Sequence, residues 1–147
     1  MKNLRLIPLL LMLLPLESLA ERSSTFDNYI VHYNAFRSDT IPAAVARQHS
    51  IIRSDHRGVV NITVLKKQSD GSTTPVAAKV WGYQRNLADQ RSELEFFPVK
   101  EQKTIYYLDQ FRIDDHDTLR FTVYIEPEGA EAGVQGTVKF VQNFYTD

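Results

Sequence analysis

The chain has 147 residues, and its 17 basic and 18 acidic side chains give a formal net charge of −1 at pH 7. This balance argues against nucleic acid as a partner, because phosphates are bound by a surplus of Lys and Arg. The chain contains no Cys, which excludes disulfide bonds and thiolate ligands for metals or clusters. Its length suffices for one domain around a single core.

The first twenty residues have the pattern of a cleaved export signal. Lys2 and Arg5 precede an almost wholly apolar run over residues 6–16, and the small residue Ala20 stands where a signal peptidase cuts. The run is about half as long as the roughly 20 residues that span a bilayer. We therefore expect cleavage after Ala20, a soluble periplasmic chain of residues 21–147, and no stable membrane insertion.

From Tyr29 onwards, apolar and polar residues alternate in short segments separated by turn residues, a pattern typical of half-buried β-strands. The segments that predict strands are 29–35, 60–67, 76–83, 94–96, 104–111, 119–126 and 137–145. In the fifth segment, consecutive Tyr106, Tyr107 and Leu108 leave open which tyrosine is buried. The early Pro42 and the helix formers after it predict one short helix near residues 42–48.

Seven short strands with a helix in the first connection predict an all-β domain over residues 21–147, an immunoglobulin-like antiparallel β-sandwich. An eight-stranded outer-membrane barrel is the main alternative for an exported all-β chain. Such a barrel needs an unbroken apolar row facing lipid, and Lys79, Arg120 and Glu126 stand at alternate positions of two strands. The alternation therefore favours the sandwich.

Three large aromatic residues, Trp81, Tyr83 and Tyr124, fall at outward positions of the predicted strands. Aromatic side chains outside a core are enriched where proteins bind each other. The alternative is that a loop, or the helix near Pro42, covers them as a second small core. A second candidate binding set, on the polar face of the first strand, comprises His32 and Asn34.

Two charged segments invite a ligand. The first segment could bind an anion, since guanidinium groups pair with carboxylates and phosphates; its charged residues are Arg53, Asp55, His56 and Arg57. A surface loop whose charges pair with one another is the simpler interpretation. Asp114–Asp117 suggests a metal, but four consecutive residues cannot all point at one ion, which favours a solvated turn. The histidines lack the spacing of a zinc site. We expect no metal site and no cofactor.

Six segments of the chain also resemble those of a known family. They are YIVHYNAF at 29–36, NITVLKK at 61–67, PVAAKV at 75–80, LRF at 119–121, PEG at 127–129 and FVQNFY at 140–145. Together they are similar to an exported bacterial family, domain of unknown function 4426, along nearly the whole mature chain. The resemblance implies a Gram-negative periplasm, and it implies no activity and no site residues.

The chain has no nucleophile elbow, Walker loop, dinucleotide fingerprint or cysteine nucleophile. We therefore expect that it is not an enzyme. The sequence favours a non-catalytic β-sandwich that binds another component of the cell envelope, with a protein as the preferred partner. The alternative is a binder of a small ligand or a metal ion through the Arg53–Arg57 loop or the Asp114–Asp117 turn.

Overall fold

The computed structural model describes residues 22–146, so the predicted export signal lies outside the described residues. Within that range the strands are β1 (Arg22–Phe26), β2 (Tyr29–Arg37), β3 (Arg57–Lys67), β4 (Thr73–Pro75), β5 (Ala78–Arg85), β6 (Arg91–Leu94), β7 (Phe97–Glu101), β8 (Thr104–Arg112), β9 (Asp117–Pro127) and β10 (Gly136–Phe144). A 3₁₀ turn at Ser38–Thr40 and helix α1 (Ala43–Gln48) connect β2 to β3. No helix in this part of the chain has the length and apolar character to cross a membrane.

The strands form two antiparallel sheets, which confirms the predicted all-β sandwich. Sheet A has the order β1-β2-β3-β8-β7, with β4 paired to the end of β3, and sheet B has the order β10-β9-β5-β6. The described residues hold ten strands rather than about seven. The predicted strand 94–96 is wrong in detail, because the chain crosses between sheets there: β6 ends in sheet B at Leu94, and β7 begins in sheet A at Phe97.

Apolar side chains from the inner faces of both sheets form the main core. The predicted inward residues of β3 and β9 are confirmed as buried: Val60, Ile62, Val64, Leu119, Phe121, Val123 and Ile125. On β8, Tyr107 faces this core and Tyr106 faces outward, which answers the question that the sequence left open. The Tyr107 hydroxyl accepts a hydrogen bond from the backbone N–H of Ala78 at 2.8 Å and so links the two sheets.

A second apolar cluster covers the outer face of sheet A. Ala46 of α1 and Ile51 after it pack against Val59, Val99 and Leu108 of the sheet. The buried hydroxyl of Ser38 holds this connection in place, since it donates to the carbonyl of Ile52 at 2.7 Å and accepts from the N–H of Ser54 at 2.9 Å. The helix predicted near residues 42–48 is therefore confirmed, but it packs on sheet A.

Candidate functional site

The strands β5 and β9 bring the three predicted aromatic residues together on the outer face of sheet B. Trp81 lies directly opposite Tyr124 in the strand register, and their ring centroids are 5.7 Å apart with 31° between the planes. Tyr83 is the next outward residue of β5 and lies opposite Thr122. All three aromatic side chains are half-buried. The alternative in which α1 covers them is wrong, because α1 packs on sheet A.

Cationic side chains lie over two of these rings. The Lys79 ammonium is 5.0 Å from the centroid of the Trp81 ring, and the guanidinium carbon of Arg91 is 3.8 Å from that of Tyr83. The guanidinium carbon of Arg85 is 5.5 Å from the same Tyr83 centroid. Each such pair gains from the negative potential of the ring face. The aromatic rings are therefore accompanied by positive charge at the surface.

The phenol of Tyr83 is affected by the same neighbours. The pKa of Tyr83 is lowered from its ordinary value, chiefly by a hydrogen bond with Thr122. Desolvation opposes the shift, and a hydrogen bond with Tyr124 and the charges of Arg91 and Arg85 add to it. Each of these favourable contacts stabilises negative charge on the phenol oxygen. The positive charges of Arg91 and Arg85 are thus smaller causes of the shift than the hydrogen bond with Thr122.

We call this outer surface of sheet B the aromatic face. It comprises Trp81, Tyr83 and Tyr124 together with five cations at outward positions. They are Lys79, Arg85, Arg91, Arg120 and Lys139. Arg120 pairs with Asp89 at 3.1 Å and Arg91 with Glu93 at 2.6 Å. Among the described residues, Lys139 has no ion-pair partner, and it lines a shallow depression of about 300 Å³ beside Tyr83.

The second predicted set lies on the other side of the sandwich. His32 and Asn34 point to the outer face of sheet A, opposite Thr63 and Asn61 of β3, and both are half-buried. The structure therefore does not bring them to the aromatic face.

The charged loop before β3 uses its side chains locally. Arg53 donates to the backbone carbonyl of Asp39 at 2.8 Å, and the His56 ring is 2.6 Å from the Asp55 carboxylate. Arg57 is the first residue of β3. Arg53, Asp55 and His56 thus contact other groups of this chain, which agrees with the simpler interpretation of a surface loop.

The acidic turn before β9 also binds backbone groups. One Asp115 oxygen accepts from the N–H of Thr146 at 3.1 Å, and one Asp117 oxygen accepts from the N–H of Asp114 at 2.7 Å. The bond from Thr146 is the main reason that the pKa of Asp115 is lowered. Across residues 22–146, no three His, Asp or Glu side chains are placed to hold a metal ion.

Two polar residues that the sequence analysis missed lie at core positions. Gln84 of β5 pairs with the buried Phe121, and Asp109 of β8 pairs with the buried Val60. Extending the alternation of β5 to Gln84 would have found the first. The second needs the orientation of β8, which the consecutive residues Tyr106 and Tyr107 obscure.

Comparison with known proteins gives a family and a fold. Residues 23–147 match the family described as domain of unknown function (DUF4426). The chain is similar to the crystal structure of a DUF4426 family protein from Pseudomonas aeruginosa PAO1, with 33% sequence identity and a TM-score of 0.73. That similarity covers 86% of this chain and 96% of the other. Among curated proteins, none matches the chain. The chain therefore belongs to the DUF4426 family, which is defined as a domain of unknown function.

Proposed function

We propose that this protein is a periplasmic, non-catalytic binding module that holds an acidic surface of another cell-envelope protein against its aromatic face. The proposed location is supported by the export signal expected in residues 1–20. The non-catalytic role is supported by the local use of the charged side chains, since the loop at Arg53–Arg57 and the turn at Asp114–Asp117 bind neighbouring groups of the chain.

The observation that carries the proposal is that the chain covers the apolar residues on the outer face of sheet A but leaves the aromatic pair on the outer face of sheet B half-exposed. Apolar residues on the outside of sheet A are covered by the chain itself, through Ala46 and Ile51. The Trp81 and Tyr124 pair on the outside of sheet B belongs to neither apolar cluster and stays half-exposed. Trp, Tyr and Arg are the residue types that contribute most to binding at protein interfaces.

The charges of this face indicate the kind of partner. Outward positions of sheet B carry five cations against the carboxylates of Glu93 and Glu126, with Asp89 in the adjoining loop. The whole chain, by contrast, has a net charge of −1. A positive face on a protein that is not basic overall attracts an acidic partner surface and orients its approach.

The test is capture of partners from envelope extract by the purified protein and by two variants. Trp81→Ala removes the centre of the aromatic face, and we expect a stability loss of at most about 1 kcal/mol for one cross-strand aromatic pair. We expect binding to weaken by about 2 kcal/mol, or roughly 30-fold in Kd. Ile52→Ala is the matched control, because Ile52 is 55% exposed and lies outside sheet B.

Two results support the proposal together. The partner that the wild type and Ile52→Ala both capture should be lost with Trp81→Ala, and its capture should fall when salt screens the cations. Trp81 is the one tryptophan of the chain, so its fluorescence should also become less quenchable by acrylamide in the complex. Equal capture by Trp81→Ala and wild type would contradict the proposal.

A further inference from the structure

A polar pocket of about 320 Å³ lies between the two sheets, where β5 and β6 of sheet B approach β8 of sheet A. Its lining includes Gln84, Ser92, Glu95, Asp109, Phe111 and Arg112. Gln84 and Asp109 occupy inward positions of their strands, whereas the aromatic face is directed outward. The pocket is therefore a separate site from the aromatic face.

Gln84, which lines this pocket, has an unsatisfied polar group. Its residue exposure is only 8%, and its buried side-chain oxygen Oε1 has no hydrogen-bond partner within the described part of the chain. It lies opposite Phe121, a core residue with 1% exposure. A buried acceptor without a donor costs roughly 1–3 kcal/mol, so such a group calls for a ligand or solvent that donates to it.

Three carboxylates line the same pocket as Gln84, those of Glu93, Glu95 and Asp109. The Asp109 carboxylate accepts a hydrogen bond from the backbone N–H of Glu95 at 3.1 Å. Burial, with a smaller contribution from the charge of Glu95, raises the pKa of Asp109 above its ordinary value. The ionised form of Asp109 is thus poorly solvated, and a positive charge in the pocket would stabilise it.

We propose that this pocket binds a small organic cation, a primary ammonium or a guanidinium group, through Asp109, Glu95 and the side-chain oxygen of Gln84, which is buried beside the pocket and turns towards the ligand when it binds. These groups offer oxygen acceptors, and such cations supply several N–H donors at once. Phe111 provides apolar surface for the methylene groups of the ligand.

The charge balance and the ligand set agree with this choice. Glu93 also lines the pocket but is engaged by Arg91 at 2.6 Å. Asp109 and Glu95 then face one guanidinium, that of Arg112, which leaves a net negative charge. An anion in the pocket would be repelled by the carboxylates of Asp109 and Glu95. A metal ion is a poorer match, because the described residues contain no set of three His, Asp or Glu side chains placed to coordinate one.

The experiment is a titration followed by two-dimensional NMR of the purified ¹⁵N-labelled protein. The probes are n-butylammonium, Nα-acetyl-lysine amide and Nα-acetyl-arginine amide, with n-butanol as the uncharged control and calcium chloride as the metal control. We expect saturable shifts of the Gln84 side-chain NH₂ and of the backbone amides of Ser92 and Asp109 with at least one cation. Asp109→Asn should weaken that binding about tenfold or more, which corresponds to about 1.4 kcal/mol.

Asp114→Asn is the matched control, since it removes a carboxylate from an exposed turn outside the pocket and should leave the affinity unchanged. Gln84→Leu is a second variant that removes the acceptor and should also weaken binding. If butylammonium binds more tightly than the two amides, the natural ligand is a free amine. If the lysine or arginine amide binds more tightly, the natural ligand is a side chain of a protein. Either ranking of the affinities supports the proposal. Shifts with butanol or calcium alone, no shift with any cation, or an unchanged affinity of Asp109→Asn would overturn it.

Discussion

Asp109 is an acidic residue at a position where β8 otherwise presents apolar side chains to the core. Its neighbours on the same face are Tyr107 and Phe111, and its partner across the strand pair is Val60. Burial raises the pKa of its carboxyl group, and the hydrogen bonds from the backbone of Glu95 and Gln110 oppose the rise only in part. The ionised side chain therefore lowers the stability of the fold at neutral pH.

We expect Asp109→Asn to raise the melting temperature at pH 7. A carboxyl group whose folded pKa lies above its unfolded value of about 3.8 costs stability at every pH above the folded pKa, and that cost is relieved as the pH falls through the folded pKa. The difference between Asp109→Asn and wild type should therefore shrink between neutral pH and about pH 3.5. Thermal melts across this range check the prediction, with Asp114→Asn as the control. A lower melting temperature of Asp109→Asn at pH 7 would contradict it.

Strand β5 contributes Trp81 and Tyr83 to the aromatic face and Gln84 to the pocket, and it lies close against β9. Trp81 and Tyr83 point outward on either side of Gly82, which is buried. A side chain at Gly82 would overlap the backbone carbonyl oxygen of Thr122 and crowd Val123. The close approach of the two strands therefore requires glycine at this position.

We expect Gly82→Ala to destabilise the protein by about 1–3 kcal/mol or more, as overpacking against backbone does. Gly136→Ala is the comparison, because the three atoms nearest to its added carbon belong to the ring of Phe26, a half-buried side chain, and not to the backbone. Chemical denaturation of both variants measures the two losses. A larger loss for Gly136→Ala than for Gly82→Ala would show that β5 and β9 can separate at little cost.

The sequence predicts the elements best where one face is buried and the other is polar. The alternation from Leu119 to Glu126 places β9 and its inward residues correctly. Strands β1 and β4 have five and three residues, which is too short for a period of two to stand out. The helix at Ala43–Gln48 was predicted at the right place, but alternation does not reveal which sheet a covering helix packs against. The same alternation places the outward residues of the aromatic face. The Gln84 pocket was missed because the predicted strand stopped at Tyr83 and because Tyr106 and Tyr107 obscure the orientation of β8.

At the scale of the whole molecule, β3 joins the two apolar clusters. Val59 and Val60 are adjacent, both have 0% exposure, and they face opposite sides of sheet A. Val60 packs in the sandwich core with residues of sheet B, and Val59 packs with Ala46 and Ile51 on the outside. Loss of either cluster exposes one side of the same strand, so the two clusters should unfold together.

We therefore expect Ile51→Ala, a change on the outside of sheet A, to shift the unfolding of sheet B equally. Ile51 is 7% exposed, and truncating a buried isoleucine costs about 2–5 kcal/mol. Its neighbour Ile52 is 55% exposed, so Ile52→Ala should change stability by no more than about 0.5 kcal/mol. Trp81 fluorescence reports on sheet B and far-UV circular dichroism reports on all strands, and coincident transitions are the mark of one cooperative unit. If Ile51→Ala lowered the midpoint seen by circular dichroism and left the Trp81 transition in place, the outer cluster would be a separate unit from the sandwich.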